Sequence, residues 1–323
     1  MTENEPVRHI GCLGEVMIEL ALQTANTAAV GVAGDTYNTA VYLRRELHAH
    51  GSQTPVSYVT ALGDDHMSER ILQRMQRHGL GSGYVERRRD AAPGLYAIET
   101  DPAGERRFSY WRSASAARSL FQTPSDVDVA CLHEFDLIYL SGISLAVLAP
   151  DVRAAVLDTL SAARQRGTRV AFDSNYRPRL WRSQREAQDA VSAMWATVDM
   201  ALPSVDDEMA LFGDDNEGAV IARLHAAGVT TGALKRGAAG PVDLDPNTDR
   251  RVAEDHAEAP GVVDTTAAGD SFNAGWLAAF AVDAPASACL RAGHALARQV
   301  VQARGAVVPT EPVLSSVLDA GDP

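Results

Sequence analysis

Residues 264–275 read "DTTAAGDSFNAG", an aspartate, two threonines and three very small residues set ahead of a second aspartate and an apolar helical run. Small residues let a ligand approach the backbone. The first turn of a helix presents amide N–H groups that have no intrahelical acceptor, so Ala267, Ala268 and Gly269 can form an anion cradle. An aspartate within such a cradle repels phosphate. Asp270 therefore has two readings: a general base beside a transferring phosphoryl group, or an acidic residue favoured by the dipole at a helix start. No G-x-x-x-x-G-K-[ST] occurs and no G-x-G-x-x-G follows the first strand, so the usual nucleotide fingerprints are absent. Two other segments offer a different device for holding phosphate, "AGDTYNTA" (33–40) and "DSNYRPRLW" (173–181).

The elements that must position these residues read as alternating strands and helices. Apolar runs of strand length fall at 135–143, 169–175, 198–204 and 230–237. A helix separates the first two. Its Val152, Ala155, Val156, Leu160 and Ala163 form a stripe at i, i+3, i+4 spacing, and Gly167 stops it as a left-handed cap. Further helices are expected at about 183–197, 216–227 and 270–303. This alternation predicts a mostly parallel sheet covered by helices on both faces, with ligands at the carboxyl ends of the strands. The segment 93–113 differs. It reads as a hairpin with "DPAG" at its tip, and with the strand-like run 14–22 it predicts a small antiparallel sheet extending from the main body as a lid. No linker composition divides the chain, so a single domain over 1–323 is expected, with lid segments at about 14–36 and 93–113.

Composition limits the function classes. The 323 residues are 46% hydrophobic and carry a net charge of −13, which offers no broad positive field for nucleic acid or an anionic membrane. An anionic substrate must be caught by local arginines. Cys12, Cys131 and Cys289 are odd in number and widely spaced, fitting neither a disulfide framework nor a metal cluster. No apolar run approaches the roughly 18 residues of a membrane span, and the first residues lack the order of a signal peptide, so a cytoplasmic protein is expected.

In "DTTAAGD", "AGDTYNTAVYL" and "YVTALGDD" (58–65) the chain resembles the PfkB/ribokinase family of carbohydrate kinases over almost its whole length. Its segments "PGLYAIETDPAGERRFSYWR", "YLSGISLAVL", "FDSNYRPRLW", "LKRGA" and "RGAVVP" are similar to the ketodeoxygluconate kinase branch. The resemblance implies a ribokinase-like α/β fold, ATP and Mg²⁺, and Asp270 as the base, with the Ala267–Gly269 amides stabilising the transferred group. It implies sugar contacts from Gly34, Asp35 and Asn38, with Gly34 as the point of close approach. On the lid, Tyr96, Tyr110 and Arg112 share a strand phase and can face one side. A 2-keto-3-deoxy-aldonic acid carries a carboxylate that a guanidinium matches in geometry and charge, so Arg112 and Arg177 are expected to hold it.

For the nucleotide the resemblance implies Asn175, Arg236, Gly237, Gly240, Ala267, Gly269 and His294, together with Lys235, the only lysine of the chain. Asp207 is the candidate for holding a Mg²⁺-bound water, with Glu208 as its rival. Ala267 stands where most of the family has glycine. A left-handed alanine costs about 1–2 kcal/mol, so this position is expected not to need positive φ. Apolar Leu95, Ile98 and Phe108 on the lid suggest a homo-oligomer. Two alternatives stay open: a family member acting on fructose, ribose or another sugar acid, and a non-catalytic sugar sensor.

Overall fold

The computed structural model describes residues 6–24, 26–100, 106–248 and 257–319. Its strands are β1 (Ile10–Leu13), β2 (Met17–Thr24), β3 (Thr27–Ala33), β4 (Val56–Gly63), β5 (Val85–Arg88), β6 (Gly94–Thr100), β7 (Arg106–Trp111), β8 (Leu137–Ser141), β9 (Arg169–Asp173), β10 (Met200–Ala201), β11 (Ala233–Leu234) and β12 (Val242–Asp243). Six of these form a sheet in the order β10-β9-β8-β1-β4-β5, every pairing parallel. Alternate side chains feed two cores. Leu137 and Tyr139 of β8 face one with Phe272, Leu277 and Leu296, while Ile138 and Leu140 face the other with Val156, Leu160 and Trp195. Burial on both faces makes such strands continuous apolar runs, which is what exposed them in the sequence. Among the described residues no helix is long and apolar enough to cross a membrane.

The expected strands at 198–204 and 230–237 shrink to two residues each. Pro203 has no N–H for a ladder, and Gly232 lies at φ +125° with no room for a Cβ, which would meet the Ala201 carbonyl oxygen at 1.9 Å. The two segments still run side by side through single bridges, Ala201 to Gly232 and Ser204 to Lys235. The expected helix 270–303 is two, Ala268–Ala281 and Ala286–Val300. Asp283 turns left-handed at φ +61° and Pro285 cannot continue the ladder, so the chain reverses there. The helix Pro150–Arg164 ends as expected, with Gly167 at φ +100°.

The second sheet runs β3-β2-β6-β7. It is mixed, not antiparallel as expected: β2 pairs with β3 and β6 with β7 antiparallel, but β2 and β6 are parallel. The sequence between β2 and β6 holds β3, β4, β5 and two helices, long enough for the crossover that a parallel pair needs. The "DPAG" tip lies outside the described residues.

Candidate functional site

The carboxyl ends of β8, β9 and β11, the start of the helix Asp35–Ala49 and the start of the helix Ala268–Ala281 converge under the second sheet. They enclose a cavity of about 1510 Å³. Asp270, at its floor, accepts a hydrogen bond from Asn38 Nδ2 at 2.8 Å, and its backbone carbonyl accepts one from Thr39 Oγ1 at 3.1 Å. Burial pushes the Asp270 carboxyl up to about 8. The neighbouring Asp35 charge adds to the shift, Asn38 and Lys235 oppose it, and Asp173 adds again. Asp35 in turn accepts from Asn175 Nδ2 at 3.1 Å and from Ser141 Oγ. A carboxylate with this affinity for a proton is suited to take one from a hydroxyl near neutral pH.

Ahead of Asp270 the backbone forms the expected cradle by an unexpected route. Ala267 is left-handed, φ +59°, correcting the expectation that an alanine here avoids that region. A bracket enforces it: Asp264 accepts hydrogen bonds from Thr266 N at 2.7 Å and from Gly305 N at 3.0 Å, and Ala268 N donates to Thr265 O at 3.2 Å. Strain of this kind persists where the surroundings over-determine it. The Ala268 amide is thereby used internally, and the Gly269 and Asp270 amides have no protein acceptor among the described hydrogen bonds. All four residues from Ala267 to Asp270 line the cavity.

Gly34 also lines the cavity, but its lack of a side chain answers a different need from the one expected. A Cβ there would meet the Glu15 carbonyl oxygen at 2.3 Å, so glycine lets the start of the helix Asp35–Ala49 close against the exit of β1. Lys235 is no solvated strand-end residue. Its side chain is 11% exposed, and Nζ donates to Asp173 Oδ2 at 2.6 Å and to Asn273 Oδ1 at 3.0 Å. Gly237 and Gly240, at φ +58° and +76°, shape the loop that follows, and Arg236 braces it through the Gly240 and Ala239 carbonyls. Both glycines, Asn175 and Arg236 face the cavity. His294 does not line it: its imidazole shares a hydrogen bond with the Ala257 carbonyl, and Ala297 reaches the cavity instead.

The lid residues arrive as paired groups. Tyr96 stands opposite Tyr110 in the β6–β7 register, their rings 5.7 Å apart, and Arg112 lines the same cavity. The Tyr96 hydroxyl is committed to Glu19, and Arg112 is ion-paired with Glu15, which is 1% exposed. Arg177 is half exposed and bonds Asp207 Oδ1 at 3.0 Å. Burial raises the Asp207 carboxyl above its usual range, with Arg177 opposing. Glu208, the rival metal candidate, is fully buried away from the cavity against Arg223 at 2.8 Å. Among the described residues no three His, Cys, Asp or Glu side chains form a metal-holding group.

Sequence reasoning missed Asp173, Asn273, Glu15 and Glu19. Asp173 carries a signal, a carboxylate at the last position of an apolar strand. Asn273 lies three residues beyond Asp270, nearly one helical turn, and nothing local marked it.

The chain belongs to the pfkB family of carbohydrate kinases, whose family model matches residues 7–312. Membership implies ATP as the co-substrate. The 2-dehydro-3-deoxygluconokinase of Dickeya dadantii is 43% identical over 306 residues, 94% of this chain and 98% of that relative. The enzyme of the same name from Escherichia coli K12 is 41% identical over 314 residues, 94% and 98% of the two chains. In fold, the crystal structure of the Thermotoga maritima 2-dehydro-3-deoxygluconokinase superposes with a TM-score of 0.80 at 19% identity, covering 97% of this chain and 99% of that one. The architecture is the ribokinase-like α/β fold.

Proposed function

We propose that this chain transfers the γ-phosphoryl group of ATP to the C6 hydroxyl of 2-dehydro-3-deoxygluconate, also called 2-keto-3-deoxygluconate. The products are ADP and the 6-phosphate. One observation carries the reading: the Asp270 carboxyl, raised to about 8, stands at the mouth of an amide cradle in a cavity that Arg112 and Arg177 also line. The names of the relatives support the same substrate.

In this reading Asp270 takes the C6 proton as the oxygen attacks the γ-phosphorus in line, and the Gly269 and Asp270 amides stabilise charge on the transferred group. Asp35 and Asn38 hold sugar hydroxyls beside Gly34, with Tyr96 and Tyr110 closing over them. Arg112 and Arg177 anchor the carboxylate, and that binding free energy aligns the distant hydroxyl. Asn175, Lys235, Arg236, Gly237, Gly240 and the cradle serve ATP. Mg²⁺, when bound, would neutralise charge on the phosphates. Among the described residues no three carboxylate, imidazole or thiol groups come together to hold a metal, which suits an ion that keeps its waters, and Asp207 would hold one of them. A cytoplasmic location fits three buried free thiols.

An ADP-release assay on 2-dehydro-3-deoxygluconate, its C4 epimer, fructose and ribose tests the substrate. The sugar acid is expected to lead by kcat/KM, and preferred use of fructose or ribose would overturn the assignment. The lid is also proposed as the surface of a homo-oligomer, through Phe108 as expected but with Tyr110 and Trp111 in place of Leu95 and Ile98. Ile98 is buried against Tyr96 and Leu95 is half-buried on the other face, whereas Phe108, Tyr110 and Trp111 are exposed on edge strand β7. Light scattering at micromolar concentration should report more than one chain per particle; a monomer with full activity would refute it.

A further inference from the structure

The cation closest in role to Asp270 is not bonded to it. Lys235 Nζ spends two of its three N–H groups on Asp173 Oδ2 and Asn273 Oδ1, and Asn273 Nδ2 closes the ring on the same Asp173 oxygen at 2.8 Å. That amide nitrogen also donates to Tyr139 Oη at 2.9 Å, and the other Asp173 oxygen accepts from Asn175 N at 3.1 Å. Asp173 is 3% exposed and Asn273 fully buried, so the ring is held by packing as well as by hydrogen bonds. The lysine is nevertheless beside the base. A Cβ on Gly269, the residue preceding Asp270, would sit 3.3 Å from Nζ.

A lysine this near a buried carboxylate ordinarily pairs with it, and a direct pair lowers the carboxylate pKa by about 1–3 units. A base so quenched takes protons poorly, since general-base efficiency follows pKa. We propose that Asp173 is a positioning residue that acts as a decoy carboxylate: it and Asn273 tether the Lys235 ammonium so that the cation serves the phosphoryl site without neutralising Asp270. The inference rests on Asp270 being the base. Lys235 keeps one N–H with no acceptor among the described residues, available to an anion at the start of the helix Ala268–Ala281.

The groups facing Asp270 come from every surrounding element. They are Asp35 and Asn38 from the helix Asp35–Ala49, Asp173 from the end of β9 and Lys235 from the end of β11. Tyr42, Tyr96 and Tyr139 stand within its field, and burial holds their hydroxyls above the ordinary tyrosine value, so they remain neutral across the working range. The charge balance at Asp270 thus turns on two carboxylates and one lysine.

The test is direct titration of Asp270 in the unliganded protein by carbon NMR of labelled aspartate carboxyls, the signal being assigned by its loss in Asp270→Asn. Asp173→Asn frees the lysine and removes a like charge, so the Asp270 midpoint should fall by at least about one pH unit. Lys235→Met leaves Asp173 alone and should raise it by at least about one unit. A merely structural role for the pair would not move the two in opposite directions. Either single change strands a buried group, so the double variant Asp173→Asn/Lys235→Met, which removes both charges, is measured too. Cancellation within about half a unit of wild type is expected there, whereas a rise of a full unit or more means that Lys235 acts on Asp270 undiverted. That rise, or singles that shift together, overturns the decoy. Because the readout needs no substrate, failure of the substrate assignment shows separately, as no ADP release with any sugar acid.

Discussion

Asp270→Asn should lower kcat by at least roughly 10²-fold, the lower end of general-base contributions, while ATP and the sugar acid still bind. Asparagine keeps the shape and the Asn38 contact but accepts no proton. In the wild-type enzyme kcat/KM should fall about tenfold per pH unit below about 8, where the carboxyl is protonated before substrate binds. Stability moves the other way. With its pKa raised from 3.8 to about 8 on folding, Asp270 binds more protons in the folded than in the unfolded chain between those values, so wild-type stability declines as pH rises through that window. The variant lacks this penalty. Its melting temperature should match wild type near pH 4 and exceed it by at least about 2 °C above pH 8. Near-wild-type turnover with unchanged binding would remove Asp270 from the chemistry, and a variant less stable at pH 8 would contradict the cause assigned to its raised pKa.

Loss of the carboxylate anchors should discriminate between substrates. A charge-assisted hydrogen bond is worth about 1.5–3 kcal/mol, so Arg177→Leu should lower kcat/KM for the sugar acid by roughly 10–100-fold and leave the weak activity on fructose nearly unchanged. Arg177 is the cleaner probe. It is 51% exposed, and its surface pair with Asp207 contributes little to folding. Arg112 is 10% exposed against a Glu15 that is 1% exposed, and its removal alone would leave a buried charge at a cost of about 3–5 kcal/mol. The informative form is Arg112→Leu combined with Glu15→Gln, which removes both charges and should show the same selective loss on the acid. Equal losses on acid and neutral sugars would assign these arginines to ATP or to the fold.

What could be read in advance depended on how local each signal was. Asp270, its cradle, Asn38 and Lys235 were legible because each sits at a strand end or helix start that its own segment defines. The left-handed turn at Ala267 was not. A single-residue rule weighed its strain, while the decision came from Asp264 reaching across to Gly305, a contact outside the motif. Asp173 and Asn273 are 100 residues apart, and their meaning arises only when β9 meets the helix Ala268–Ala281. The parallel pairing of β2 with β6 was equally unreadable, since alternation specifies a strand and its faces but not its neighbour's direction. His294 shows the converse error: a position taken from a pattern placed its helix at the cavity, but the imidazole bonds a different loop.

Lys235, the sole lysine of the chain, is also its only side-chain amine. Acylating or aldehyde reagents react with the neutral amine, so apart from the chain's α-amino group they have a single target, and that target is 11% exposed and ion-paired with Asp173. Covalent labelling should therefore proceed only as fast as the pair opens, and an occupied phosphate site should slow it further. The enzyme thus carries one built-in chemical reporter at the bottom of its cavity. The same scarcity leaves its outer surface without lysine side chains for stray acyl donors to modify.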